Sequence, residues 1–171
     1  QKGVAERTEH ASLGINQSSG GLMSVIRARE FPVRTALSGP AAGAVGAAHA
    51  ARQTGHRNII TLDMGGTSAD VALIRDYKVD LAFDRDVAGF PIRMPCVDVE
   101  TVGAGGGSIA WFDRDGLMKA GPISAGAYPG PACYGNGGDQ PTTTDANLLL
   151  GRLSSRGLLD GDMGLDPELS R

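Results

Sequence analysis

The sequence predicts an α/β domain with a mixed sheet, and three observations carry that prediction. An Ala-rich stretch at 41–53 is bracketed by helix signals. A strand, a tight turn and two further strands follow at 58–84. Short apolar segments then flank a Gly cluster at 103–107, before a last helical stretch at 143–153. The composition, 41% hydrophobic and 20% charged, is that of a folded domain rather than a disordered one. Gly supplies 26 of the 171 residues, about twice ordinary usage, without a collagen period. With aromatics at only 5%, the core must come from Val, Ile, Leu and Ala.

The elements are justified in chain order. Ser18-Ser19-Gly20-Gly21 reads as a turn, followed by a short helix at 22–29. Phe31-Pro32-Val33 reads as extended. Ser38-Gly39-Pro40 then opens the strongest helix, with Ser38 as N-cap, Pro40 near the first turn and Gly55 as the stop. Gly39, Gly43 and Ala47 share one face of it, a stripe suited to close packing on a neighbouring element. Strands are expected at 58–63 and 70–75 around the turn at 64–68. A third, at 77–84, alternates Val79, Leu81 and Phe83 inward. This is a meander, not a βαβ unit. Residues 97–102 and 109–112 read as strands. The Gly/Pro segment at 121–138 lacks periodicity, and so long a loop in a compact domain is usually functional. Thr144 reads as the N-cap of the helix at 143–153.

Charge and cysteine usage exclude several classes. Lys and Arg number 16 against 19 Asp and Glu, with no basic stripe, which argues against charge-driven nucleic-acid or membrane-surface binding. No apolar run approaches the ~20 residues of a membrane span. Cys96 and Cys133 make neither a disulfide framework nor a zinc site by themselves, and they fit a reducing, cytoplasmic compartment. The start at Gln1-Lys2-Gly3 is neither an initiator Met nor a signal peptide. Asp166-Pro167-Glu168-Leu169 is a helix start just before the last residue, Arg171. Both ends therefore read as cut from a longer protein.

The most informative stretch is Asp63-Met64-Gly65-Gly66-Thr67-Ser68-Ala69-Asp70-Val71. An Asp closing an apolar strand puts a carboxylate at the sheet rim. Two Gly residues then aim successive N–H groups at whatever approaches, a nest suited to anions and to phosphate above all. Thr67 and Ser68 add hydroxyl donors. Asp63 and Asp70 repel bare phosphate but suit an Mg²⁺ carried on its oxygens. A plain hairpin turn with Gly at a positive φ is the competing reading. The motif is not a Walker loop, because no Gly-Lys-Ser/Thr closes it. It is not a dinucleotide fingerprint either, because a strand follows it. It matches the Asp-x-Gly-Gly-Thr hairpin with which actin-like ATPases and sugar kinases cradle nucleotide phosphates.

Three further stretches carry candidates. Gly105, Gly106 and Gly107 form either a nucleotide or substrate wall or a tight crossing under a neighbour. Asp98 and Glu100 share one strand face as metal or base candidates, or as a solvated face. Cys133, in Pro129-Gly130-Pro131-Ala132-Cys133-Tyr134-Gly135, reads as a buried thiol, since His10, His49 and His56 complete no cysteine-enzyme or metal pattern. Asp145 reads as a first-turn Asp favoured by the helix dipole.

Together these motifs resemble the hydantoinase A / 5-oxoprolinase family over most of the chain. The resemblance rests on Ser18-Ser19-Gly20-Gly21, Ser38-Gly39-Pro40-Ala41-Ala42-Gly43, the Asp63 turn, Val102-Gly103-Ala104-Gly105-Gly106-Gly107-Ser108, the block at 129–135, Thr144-Asp145-Ala146-Asn147 and Leu150-Gly151-Arg152. It implies an actin/sugar-kinase-like (ribonuclease H-like) ATPase fold, with residues 1–171 part of a single domain truncated at both ends. It also implies an ATP- and Mg²⁺-dependent opening of cyclic amides of the hydantoin or 5-oxoproline type. Relatives in the family activate ketones for carboxylation, and a non-catalytic nucleotide-binding module is a further alternative. The implied partners are the rest of the subunit, which carries a second Asp-Gly-Gly-Thr motif, and a hydantoinase B-type subunit. On this resemblance Gly65, Gly66, Thr67 and Ser68 contact nucleotide, with Gly105, Gly106 and Gly107 as a neighbouring wall. Asp63 and Asp70 are the catalytic and metal-holding carboxylates. Glu100 and Tyr128 depart from the family pattern, which has His and Asp there, so metal ligation and substrate class stay open.

Overall fold

A computed structural model describes residues 12–87, 89–158 and 162–171. It is a mixed α/β structure with several small sheets, divided into two compact units. The first comprises Gln1–Asp63 and Val71–Glu100, the second Met64–Asp70 and Thr101–Arg171.

In the first unit, β1 (Gly14–Asn16) and β2 (Leu22–Ser24) form an antiparallel hairpin around the expected turn at 18–21. Gly20 is required there: its φ is +84°, and a Cβ would sit 2.6 Å from a methyl of Val45. The helix expected from residue 22 starts later, as α1 (Val25–Glu30), because Ser24 accepts from the N–H of Arg27 and caps it. Pro32–Thr35 forms a 3₁₀ turn rather than the extended segment expected, with Pro at its first position.

The long helix is α2 (Ser38–Thr54), and it ends as expected at Gly55, whose φ is +78°. Its start differs from expectation. Leu37, in the left-handed region, occupies the N-cap position, and Ser38 is already helical. The packing face differs too. Ala41, Ala44, Ala48 and Ala51 are buried, whereas Gly39 and Gly43 are exposed. Cβ atoms at 3- and 4-residue spacing give the Ala face something to bury, which a Gly stripe lacks.

The central sheet has β3 (Ile59–Met64) and β4 (Ala69–Arg75) side by side, with β10 (Val99–Val102) on the far side of β4. β5 (Lys78–Val79) turns back antiparallel onto β4, completing the expected meander. The single strand expected at 77–84 is instead β5 and β6 (Leu81–Ala82), and β6 pairs away, with β9 (Cys96–Val97). Phe83 is accordingly exposed rather than inward. A small hairpin, β7 (Arg85–Val87) with β8 (Phe90–Ile92), lies between them. Ala41 and Ala44 pack against Ala72, Val97 and Val99 as the core of this unit.

The second unit contains the hairpin β11 (Ser108–Phe112) with β12 (Met118–Ser124) and the helix α3 (Thr143–Leu149). Its apolar core is Cys133, Leu148 and Leu165, with Leu153 and Leu158 against them. The expected helix at 143–153 is shorter, and its N-cap is Thr142 rather than Thr144. Thr142 and Asp145 form a reciprocal capping box, a Thr-x-x-Asp pattern that outcompetes the expected cap two residues later. The Gly/Pro segment at 121–138 begins inside β12 and otherwise holds one 3₁₀ turn, Ala132–Tyr134. Among the described residues, no helix is long and apolar enough to cross a membrane.

Candidate functional site

The site is built from the turn that leaves β3. Asp63 is the next-to-last residue of that strand and is exposed, with its carboxylate at the sheet rim as expected. On α2, a Cβ added at Gly43 would lie 3.9 Å from the Asp63 carboxylate, so this Gly leaves the space beside it open. Gly65 donates its N–H to the Ser68 carbonyl at 2.9 Å and closes a tight turn. Gly65, Gly66 and Thr67 are exposed and Ser68 half-buried. Among the described residues, the N–H groups of Gly66, Thr67 and Ser68 make no backbone hydrogen bond. Successive N–H groups without a backbone partner, with no side chain on the first, are the elements from which anion-binding nests are made.

In the second unit, the Gly cluster packs directly against this turn. Gly106 donates to the Gly65 carbonyl at 3.0 Å, and Gly107 to the Gly66 carbonyl at 2.6 Å. A Cβ at Gly105 would lie 2.7 Å from the backbone N and C of Thr67 and from the N of Ser68, so no side chain fits. The geometry shows a tight crossing, one of the two readings left open by the sequence. The amides of Gly106 and Gly107 hold the turn itself, and Gly105 is bonded to the buried Ser108 hydroxyl at 2.7 Å.

The carboxylates differ in their surroundings. Asp70 is half-buried and accepts from the Thr101 hydroxyl at 2.6 Å, which fixes its orientation. Asp98 and Glu100 both face Arg85, with Glu100 at 3.6 Å, so they serve as ion-pair partners. Among the described residues no group of three or more His, Cys, Asp or Glu side chains is arranged to hold a metal. A divalent ion here would therefore take Asp63 or Asp70 together with oxygens of its ligand, as Mg²⁺ does on nucleotide phosphates.

Two residues matter more than their local sequence suggested. Thr144 is buried and bonds the Gly106 carbonyl twice, through its N–H at 2.8 Å and its hydroxyl at 2.9 Å. Asp145 is 3% exposed. It accepts from the N–H groups of Ala132 (3.3 Å), Cys133 (2.9 Å) and Thr142 (3.1 Å), and from the hydroxyls of Thr142 (2.6 Å) and Ser170 (2.8 Å). Burial alone would raise its pKa. The hydrogen bonds from Thr142, Cys133 and Ser170 outweigh that and hold it below the ordinary value. The Thr-x-x-Asp spacing signals the cap, but the bonds to 132, 133 and 170 have no local signature.

Cys133 is buried, as expected, and burial together with the neighbouring Asp145 pushes its thiol up to about 11. It is protonated and unreactive at neutral pH. His49 is exposed and bonds Gln53 on its own helix, and His10 lies outside the described residues. Tyr128 is exposed in the Gly/Pro segment.

The hydantoinase/oxoprolinase family model matches residues 1–171. The alpha subunit of a caprolactamase from Pseudomonas jessenii is 47% identical over 150 residues, which are 88% of this chain and 22% of that subunit. A 5-oxoprolinase from Dictyostelium discoideum is 41% identical over 165 residues, covering 89% of this chain and 13% of its own. A nucleotide-free acetone carboxylase, solved in connection with ATP-dependent acetone carboxylation, superposes with a TM-score of 0.81 at 34% identity. That match covers 99% of this chain and 24% of the other. The chain thus spans a quarter or less of each of these three relatives.

Proposed function

The chain belongs to the hydantoinase/oxoprolinase family, and from that premise we propose that it is the phosphate-holding part of an ATP-dependent enzyme that opens cyclic amides of the hydantoin or 5-oxoproline type. The observation that carries this reading is the exposed turn at 65–68. Its N–H groups at 66–68 have no backbone partner among the described residues, and Asp63 and Asp70 flank it in sequence. On this reading the fold is that of the actin-like ATPases and sugar kinases, and residues 1–171 are part of one such domain.

The chemistry follows from the charges. The lactam carbonyl oxygen attacks the γ-phosphorus of ATP, and ADP leaves. The O-phosphorylated amide carbon then accepts water, the C–N bond breaks with the ring nitrogen taking a proton, and further water releases phosphate. The difficult part is stabilising charge on the transferring phosphoryl group. Gly66, Thr67 and Ser68 donate to phosphate oxygens, with the Thr67 and Ser68 hydroxyls beside them. Gly65 shapes the turn, and Gly105, Gly106 and Gly107 wall it from behind. Asp63 and Asp70 would hold the ion or orient the attacking water. Bound Mg²⁺ would neutralise phosphate charge.

Incubation of the full-length protein with ATP and either 5-oxoproline or hydantoin tests the reading through ADP, phosphate and ring-opened product. Asp63→Asn is expected to abolish substrate-dependent ATP turnover, and turnover at the wild-type rate would sink the assignment. The likeness to acetone carboxylase favours a second reading, ATP-dependent ketone carboxylation. Bicarbonate-dependent turnover with a ketone, and none with a lactam, would select it. The remainder of the subunit and a hydantoinase B-type subunit are the proposed partners, and the cytoplasm the proposed compartment.

A further inference from the structure

The two backbone segments at 65–67 and 105–107 are joined peptide to peptide, and the line of bonds starts at one side chain. The Gly106 carbonyl accepts from both the N–H and the hydroxyl of Thr144, at 2.8 and 2.9 Å. The same peptide group carries the Gly107 N–H, which donates to the Gly66 carbonyl at 2.6 Å. That next peptide group carries the Thr67 N–H, a donor of the turn with no backbone partner among the described residues. In a planar trans peptide the C=O and N–H point in opposite directions. Each bond therefore adds its dipole to the next, and the positive end emerges at Thr67. Hydrogen bonds chained in this way polarise one another.

Placement is as tight as polarisation. A Cβ at Gly106 would lie 2.8 Å from the Thr144 hydroxyl oxygen, so the hydroxyl fills the space beside that residue. Thr144 itself is fixed at the start of α3 by the capping box of Thr142 and Asp145. Asp145 in turn ties this helix start to Ala132 and Cys133.

We propose that Thr144 is a positioning residue for phosphate binding: its hydroxyl holds the peptide of Gly106 and Gly107, which orients and polarises the Thr67 N–H toward the nucleotide. This rests on the nucleotide reading given above. The effect is expected on phosphate, because the line of bonds ends at the turn.

The test compares ATP with adenosine, which lacks phosphates, in the full-length protein. Thr144→Val keeps the shape and the backbone bond but removes the hydroxyl donor. It is expected to weaken ATP binding by calorimetry about fivefold, the worth of one ordinary hydrogen bond, and to raise the KM for ATP in step. The inhibition constant of adenosine against ATP stays as in wild type. Thr144→Ser, which keeps the hydroxyl, restores ATP affinity. Equal losses for ATP and adenosine would show a general structural role and overturn the proposal, as would unchanged ATP affinity in Thr144→Val. Should that variant not fold, Thr144→Ala is measured with the same two ligands and carries the same expectation. Wild-type protein that binds no ATP would overturn the nucleotide reading itself, and the proposal with it.

Discussion

The interiors of the two units differ in composition. In the first, Ala41, Ala44, Ala72, Val97 and Val99 bury small apolar side chains against one another. Its ion pairs include exposed ones such as Arg57 and Asp76 at 2.6 Å, a kind of contact worth about 0–1 kcal/mol. In the second, Ser108, Thr142, Thr144 and Asp145 are all buried. Their partners are largely backbone groups of loops. Packing by area is non-directional and tolerates small shifts. A network of hydrogen bonds fixes atoms to a few tenths of an ångström and fails if any partner is lost. The unit carrying the turn at 65–68 holds this buried polar network beside its own apolar core, which suits the site proposed there, whose donors must be set before the ligand arrives.

The largest break in that comparison is expected at Asp145. Asp145→Ala leaves five donors without their acceptor in the second unit, and a loss of about 3–5 kcal/mol in urea denaturation is expected. A loss below that of an ordinary surface substitution would show that the network does not hold the unit. The next is a pair of glycines that should differ in sign. Gly105→Ala meets backbone at 2.7 Å and should destabilise by about 1–3 kcal/mol, with ATP affinity lost alongside. Gly46→Ala, inside α2 with nothing within 4 Å of its new Cβ, should stabilise by about 0.5–1 kcal/mol. Thermal denaturation of both variants reads the difference directly.

The smallest effect is in acid. Hydrogen bonds hold the Asp145 carboxyl below the ordinary Asp value of 3.8, so its contribution is fully present above that value. It is lost as the pH falls through the lower, folded value. Stability measured against pH should fall less steeply below 3.8 in Asp145→Asn than in wild type. Identical acid limbs would show that the carboxylate is not the group being titrated.

Much of this was legible in the chain itself. The Gly-Gly turn between two strands, the Ala-rich helix with its Gly55 stop and the Gly cluster at 103–107 are each written in contiguous residues. Local φ preferences, periodicity and missing side chains need no distant partner to be recognised. The misplaced features share an opposite property. Which face of α2 is buried depended on what Ala41 and Ala44 meet, at Ala72 and Val97, far away in sequence. The split of residues 77–84 into two strands depended on β9 offering a partner to Leu81. The role of Gly105 depended on Thr67 lying against it, and that of Thr144 on the Gly106 carbonyl.

Sequence alone thus determined the α/β class, the family resemblance and the presence of a bare-backbone turn flanked by Asp63 and Asp70. Tertiary structure decided that the second Gly cluster grips that turn, and that Thr144 and Asp145 belong to the same network. The reason is the reach of the forces involved. A turn or a cap is settled among residues within a few positions, whereas a backbone-to-backbone crossing exists only once two distant segments have been brought within 3 Å.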